Sequence, residues 1–441
     1  MNAWYLLCLL SALAVLIAYT NQYVLKLQTT IAITTGSVVI SLLLMLSFKL
    51  IGDDLATSIT HTLGSLNFNQ LLLKGMLGFL LFAGALEIDL PALRKQRWEI
   101  TVLVLFSTLL STVIVGYLAY WLLGALGWSV PLIYCLLFGA LISPTDPIAV
   151  LAIIKQMNAP QGISIQVEGE SLFNDGVGLV VFTTIFAVAF SGTEPTVAGV
   201  AELFFSDALG GIAFGFVLAL IGHFLLCNSR EDANIRLLIT LMIPSAGFAL
   251  ANMMEISGAL AMVVSGIFIG NVTRAKVADP NDPSSSQYIN NFWHATDSFL
   301  NALLFLLIGL MLVTMNVTLV EVGLGLLMVP VVLLARFISV GIPFSVFRRF
   351  RRYDVNSVKI LTWGGLRGGL ALAMAASIPD GEMVVKGVDI HNLLLIITYM
   401  VVIFSIVVQG LTIAPMIRKS IKANRIEVRK EKAEQRSEKP A

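Results

Sequence analysis

Stretches of about 18 or more apolar residues recur along this chain almost from end to end, each long enough to cross a ~30 Å hydrocarbon core as a helix. Inside lipid every backbone N–H and C=O must find a partner within the protein, which leaves only helices and closed barrels. A barrel would read as alternating strands of ~10 residues, and these runs are continuous. The chain is therefore expected to be an all-α polytopic membrane protein. Composition agrees: hydrophobic residues make up 57% and charged residues only 12%, against ~25% charged in soluble domains. With 28 Lys and Arg against 27 Asp and Glu, the net charge is +1. That balance excludes a basic nucleic-acid binder, and the apolar runs exclude a soluble enzyme.

The runs predict about thirteen spans, near residues 3–20, 30–50, 70–88, 98–123, 130–154, 163–190, 199–227, 234–252, 256–272, 290–315, 317–346, 358–378 and 391–417. Too little chain remains for a soluble domain, so the expected organisation is a transmembrane domain over 1–417 and a short charged tail over 418–441. The start, MNAWYLLCLL, has no Lys or Arg ahead of its apolar stretch, and no small-residue cleavage signal follows. It reads as a first span rather than a removable signal.

Basic residues fix the expected orientation. With the N-terminus outside, the inner loops collect Lys26, then Arg94, Lys95 and Arg97, then Lys155, Arg230, Arg236, Arg274 and Lys276, and finally Arg348, Arg349, Arg351 and Arg352. The outer loops hold only Lys386, with Lys49 at a helix end. The expected topology places the C-terminus in the cytoplasm and the chain in a cell (inner or plasma) membrane. The tail, with nine basic and four acidic residues, reads as a solvated, partly helical segment, and anionic lipid is the alternative partner for it. Cys8, Cys135 and Cys227 lie in apolar runs without a CxxC pair and read as small buried hydrophobes with no disulfide or metal role. His61, His223, His294 and His391 have no spacing that suggests a metal site.

Charges inside spans are costly, and where they occur they mark a transport or relay path. In the fifth span, LLFGALISPTDPIAVLAII, Pro144 and Pro147 bracket Asp146. Each proline removes an amide donor and clashes with the preceding turn, so the helix should break over Ser143–Pro147. The bland reading is a proline kink whose carboxylate caps loose amides. The sixth span, ISIQVEGESLFNDGVGLVVFTTIFAVAF, carries Glu168, Glu170, Ser171, Asn174 and Asp175. At about 100° per residue, Glu170 and Asn174 share one stripe, and Ser171, Asp175 and Glu168 share its neighbour. Asp175 lies ~18 Å along the helix from Ile163, near the midplane.

The cations available to these carboxylates are Arg336 in the eleventh span and Arg367 in the twelfth. Arg367 is surrounded by Gly364, Gly365, Gly368 and Gly369, which predicts a second unwound helix with close backbone approach. The fifth and twelfth spans correspond if spans 1–6 and 8–13 are two inverted repeats. Interrupted helices at matching positions of two halves point to the central site of a secondary transporter. Glu87 and Asp89 lie at the inner end of the third span, Glu87 as a group that burial could enclose and Asp89 as a loop group beside Arg94. Lys74, Glu255, Asp297 and Lys359 read as helix-end or cavity-edge charges. No Walker A motif supports ATP-driven pumping, and no selectivity-filter signature is present.

SPTDPIAV at 143–150 and GESLFNDGVGLVV at 169–181 resemble the monovalent cation:proton antiporters of the NhaP and sodium/hydrogen-exchanger type. LLFAGALEIDL at 80–90, ISGALAMVVSGIFIGN at 256–271, WGGLRGGLAL at 363–372 and VVQGLTIAP at 407–415 extend the resemblance in order across nearly the whole chain, which lacks only the long eukaryotic cytosolic tail. The resemblance implies a prokaryotic homodimer in which a dimerisation part carries a six-helix core that moves against it in an elevator-like cycle. It implies binding of the cation, and of the competing proton, at Asp175 with Asp146, Ser171, Thr145 and Asn174 nearby, and no resident cofactor. It gives Glu170 a structural role beside an arginine, Arg336 first and Arg367 second, and leaves Glu87 and Glu168 as accessory candidates. Members with an Asn-Asp pair, here Asn174–Asp175, are generally electroneutral.

The residues support that chemistry on their own terms. A hard monovalent cation wants oxygen ligands, which carboxylates, hydroxyls and backbone carbonyls provide. A proton and a cation competing for one carboxylate, in a cavity open to one side at a time, suffice for exchange. The transported ions would be H⁺ and Na⁺, with K⁺ and Li⁺ left open because residue types do not set cavity size. Two other classes compete. A channel or a sensor with an antiporter-like core would need a pore or gate signature, and an intramembrane hydrolase would need a nucleophile–base pair. Ser171 and Asp175 stand one turn apart, but neither broken motif contains a histidine.

Overall fold

In the computed structural model the described residues are 3–51, 60, 62–64, 67–157, 161–190, 196–229, 232–277, 284–315, 317–347, 349, 356–381 and 384–421. Eleven helices among them are long and apolar enough to cross a membrane. The expected spans not represented in that set are the fifth and the twelfth, and both are interrupted. The first interruption separates α5 (Leu132–Ile142) from α6 (Ile148–Gln156). The second separates α13 (Ser357–Trp363) from α14 (Gly369–Ala375).

The continuous helices are α1 (Ala3–Tyr23), α2 (Thr29–Ile51), α3 (Thr62–Glu87), α4 (Arg97–Ala125), α7 (Gln161–Phe190) and α8 (Val197–Asn228). After them come α9 (Ala233–Met253), α10 (Gly258–Val277), α11 (Ser284–Leu310), α12 (Leu319–Phe347) and α15 (Ile390–Ile421). They pack as two groups. α4, α5, α7, α12, α14 and α15 surround the interruptions, while α1, α2, α3, α8, α9, α10 and α11 pack on one another beside them. α7 is the main seam, touching α8 and α10.

Physical reasons for the two breaks differ. Prolines end α5, because Pro144 and Pro147 cannot donate to the ladder. No proline lies in the second break, where Gly368 takes extended backbone (φ −120, ψ −163). The breaks meet: the Asp146 N–H donates to the Leu366 carbonyl at 2.7 Å, a single antiparallel bridge at the centre of the fold.

Several details depart from the expectations. A two-residue hairpin pairs Val384–Val385 with Val388–Asp389 on an otherwise helical scaffold. Its turn works because Lys386 and Gly387 both hold positive φ (51° and 79°), the hairpin geometry that suits strand twist. Cys135 is buried, but Cys8 is exposed and Cys227 only partly buried beside His223, so the three are not uniformly interior. α15 runs to Ile421, past the expected boundary at 417. The remaining tail, 422–441, lies outside the described residues, as do Arg230, Arg348, Arg351, Arg352 and His61.

Candidate functional site

The site begins with a defect. α5 stops at Ile142, and the carbonyls of Ser143 and Pro144 no longer have a helical donor. Arg367 supplies one: its Nη1 donates to both oxygens, at 2.9 Å to Pro144. Arg367 is 2% exposed, and its guanidinium meets the negative end of the α5 dipole. Its own backbone N–H is held by Ser405 Oγ at 2.9 Å. Ser405 opens a wide π-type turn, Ser405–Gln409, whose Gln409 donates at 2.9 Å to the Trp363 carbonyl beside the second break.

Glu170 takes the other arginine. Arg336 Nη1 lies 2.5 Å from Glu170 Oε1, and Nη2 donates to Oε2 at 2.7 Å. Both side chains are almost fully enclosed, at 4% and 2% exposed. Paired forks of this kind meet charge and geometry together. Gly365 lies so near that a Cβ there would come within 2.8 Å of Arg336 Nε. The two arginines, equivalent choices for Glu170 at the level of residue type, thus have separate jobs in the structure.

On the neighbouring stripe of α7, Ser171 donates its hydroxyl to the Thr145 carbonyl. Asn174 clasps the same residue from the other side, accepting from Thr145 N–H at 3.2 Å and donating to Thr145 Oγ1 at 3.1 Å. The unwound backbone at Thr145 is therefore fixed by α7. Asn174 is 1% exposed and stands behind Thr145 rather than on the cavity wall. Asp146 Oδ1 accepts from the N–H of Ile148, the first residue of α6, at 3.0 Å. Gly368 is required opposite it, since a Cβ there would sit 2.7 Å from Asp146 Cβ.

The first break and the Ser171 stripe of α7 face a cavity of about 480 Å³. Thr145, Asp146, Ser171 and Asp175 line it at depth, and it reaches Gln28, Glu87, Lys155 and His294. Thr145 and Ser171 are buried, while Asp146 and Asp175 are partly open to it. The two carboxylates are near enough to interact electrostatically. Glu168 lines the same cavity about two turns before Asp175. Glu87 is exposed at the end of α3 rather than enclosed, and Asp89 caps the next short helix through Ala92 N–H at 3.1 Å.

Asp297, read from sequence as a helix-end or cavity-edge charge, lies within α11 and lines the cavity with Ser298 and Asn301. Asn301 was not singled out by sequence. The signal was present, a polar side chain one turn after Asp297 in an apolar span. The donors at the deep end are all oxygen, which suits a monovalent cation better than a transition metal. Among the described residues no group of three or more His, Cys, Asp or Glu side chains is placed to hold a metal ion.

A family model described as sodium/hydrogen exchanger, transmembrane, matches residues 6–419. The Na(+)/H(+) antiporter NhaP of Pseudomonas aeruginosa is 39% identical over 412 residues, covering 92% of this chain and 95% of that protein. The Na(+)/H(+) antiporter NhaG of Bacillus atrophaeus is 33% identical over 356 residues, covering 80% of this chain and 64% of that protein. Among solved structures, the sodium proton antiporter MjNhaP1 from Methanocaldococcus jannaschii at pH 8 has the same fold, with a TM-score of 0.70 at 18% identity, over 95% of this chain and 98% of that one.

Proposed function

Since the chain belongs to the sodium/hydrogen exchanger family, we propose that it exchanges a monovalent cation, Na⁺ first and Li⁺ or K⁺ as alternatives, for protons across a prokaryotic cell membrane. Asp175 is the carboxylate at which cation and proton exclude one another. Asp146, Ser171 and Thr145 complete the oxygen set, Asn174 holds Thr145 in place, and the Glu170–Arg336 pair is structural. Glu168 and Glu87 lie along the approach and favour cations over anions there.

The observation that carries this reading is the crossing of two interrupted helices beside Asp175, at the deep end of a cavity that reaches one face. Backbone that is irregular at membrane depth is tolerated where it lines such a cavity. With the N-terminus outside, the face bearing Lys155 is cytoplasmic and the cavity is open inward. Exchange then follows if the helices around the breaks move against α1–α3 and α8–α11, in an elevator-like cycle, until the same carboxylate faces outward. We further take the two halves to be inverted repeats and the protein to work as a homodimer, with one cation exchanged for one proton.

The test is flux in reconstituted liposomes. With an acidic interior, adding Na⁺ outside should collapse the pH gradient, and Li⁺ and K⁺ in turn give the selectivity. Cation flux that needs no counter-gradient and carries large voltage-driven currents would overturn the antiporter reading in favour of a channel.

A further inference from the structure

Opposite the interrupted helices, the cavity wall is shared by α3 and α11, and α11 brings Asp297, Ser298 and Asn301 into the same space as Asp146, Ser171 and Asp175. Asn301 is 3% exposed. Its Nδ2 faces the Asp297 carboxylate one turn earlier on α11, whereas its Oδ1 makes no hydrogen bond. An amide oxygen enclosed and unmet has given up water for nothing in return. Folded proteins seldom keep such a group without a use for it. Attachment of α11 to its neighbour does not explain it, because Ser41 Oγ on α2 already donates to the Gly309 carbonyl at 2.8 Å.

We infer that Asn301 is a cation-contacting residue, supplied to the transport site by the second group of helices. Its Oδ1 offers a neutral oxygen to the cation or to water bound to it, and its Nδ2 donates to that water or to a site carboxylate. The inference rests on the reading that this cavity takes up the exchanged cation. Thr145, Asp146, Ser171 and Asp175 stand on α7 and around the first break, whereas Asn301 stands on α11. A bound cation would therefore touch both groups of helices. A neutral amide oxygen also differs from a carboxylate in holding no proton at ordinary pH. Its loss should act on the cation and leave the proton side of the exchange untouched.

The test compares wild type with Asn301→Leu, Asn301→Gln and Asn301→Asp in liposomes and in detergent. Asn301→Leu should raise the apparent KM for Na⁺ about tenfold. Its pH profile at saturating Na⁺ should stay in place, and its melting temperature should hold, because the enclosed oxygen that is lost had no partner. Asn301→Gln should recover part of the affinity. Asn301→Asp, which adds a titrating group to the wall, should move the pH profile. A KM for Asn301→Leu within about twofold of wild type, with Na⁺ protecting it against heat as well as it protects wild type, overturns the inference while exchange itself stands. A loss in Asn301→Leu matched by a lower melting temperature and unrelieved in Asn301→Gln also overturns it, by making the amide structural. Should the Leu variant fail to fold, an unmoved pH profile in Asn301→Asp decides against it. If wild type exchanges none of Na⁺, Li⁺ and K⁺, the proposed function falls first and takes this inference with it.

Discussion

At the scale of single residues, Asp175 and Glu170 stand on one helix in different surroundings. Asp175 opens to the cavity while Glu170 is locked to Arg336. Asp175→Ala should abolish cation-driven proton flux while leaving the protein in the membrane, and Asp175→Glu should retain some flux with altered apparent affinity. Flux persisting in Asp175→Ala would move the essential carboxylate to Asp146. If proton and Na⁺ exclude one another there, as proposed, acidification should raise the apparent KM for Na⁺, by up to ~10-fold per pH unit where they compete. For the ion pair, removing one partner of an enclosed pair costs about 3–5 kcal/mol, since the other charge is stranded. Glu170→Gln and Arg336→Gln should each lower the melting temperature, and the double variant should lose less than their sum. Strict additivity would contradict the coupling. The helical wheel separates Glu170 from Asp175, so that division was legible in the sequence. The choice between Arg336 and Arg367 was not, because it depends on which helix passes Glu170 and which end of α5 needs a donor. Asn301 escaped for a like reason: a lone amide in an apolar run reads as glue between helices until the cavity beside it is seen.

At the scale of elements, the two breaks are where the sequence spoke most clearly. Two prolines within four residues, and four glycines around an arginine, have few other uses inside a membrane. What the residues did not disclose is that the breaks touch, with Asp146 bonded to Leu366 and Gly368 pressed on the Asp146 side chain. That contact lets two roles of Asp146 be separated. Asparagine keeps an oxygen that can accept from Ile148 N–H, so Asp146→Asn should preserve that hydrogen bond at the start of α6 while removing the charge. Its fold should hold, and the stabilisation that added Na⁺ gives against heat should shrink, since a ligand bound only by the folded state protects it. Undiminished protection would show that the charge is not needed for binding. Gly368→Ala places a methyl where Asp146 already sits, and overpacking of that kind costs about 1–3 kcal/mol. It should lower the melting temperature and slow exchange together. A variant with wild-type stability and rate would mean that the crossing is slack enough to yield.

At the scale of the whole molecule, the question is how much charge crosses the membrane in one cycle. Swapping one cation for one proton moves none, and a single carboxylate that alternates between the two permits only that. A second proton would need a second group that loads and unloads with the cycle. Glu170 is held between the forks of Arg336, and Asn174 cannot titrate and is occupied with Thr145. Asp146 is the remaining carboxylate on the broken helices, facing Asp297 of α11 across the cavity, and its Oδ1 accepts from Ile148 N–H at the start of α6. If that hydrogen bond persists while the helices around the breaks move as a unit, Asp146 keeps one state through the cycle and Asp175 alone alternates. The exchange rate should then be indifferent to membrane potential. Liposomes carrying Na⁺ and clamped by valinomycin at K⁺ potentials of either sign should give one rate, after correction for proton leak. A rate that climbs several-fold with one sign of potential would make Asp146 a second proton carrier. In that case Asp146→Asn should remove the voltage dependence while Asp175 continues to bind the cation.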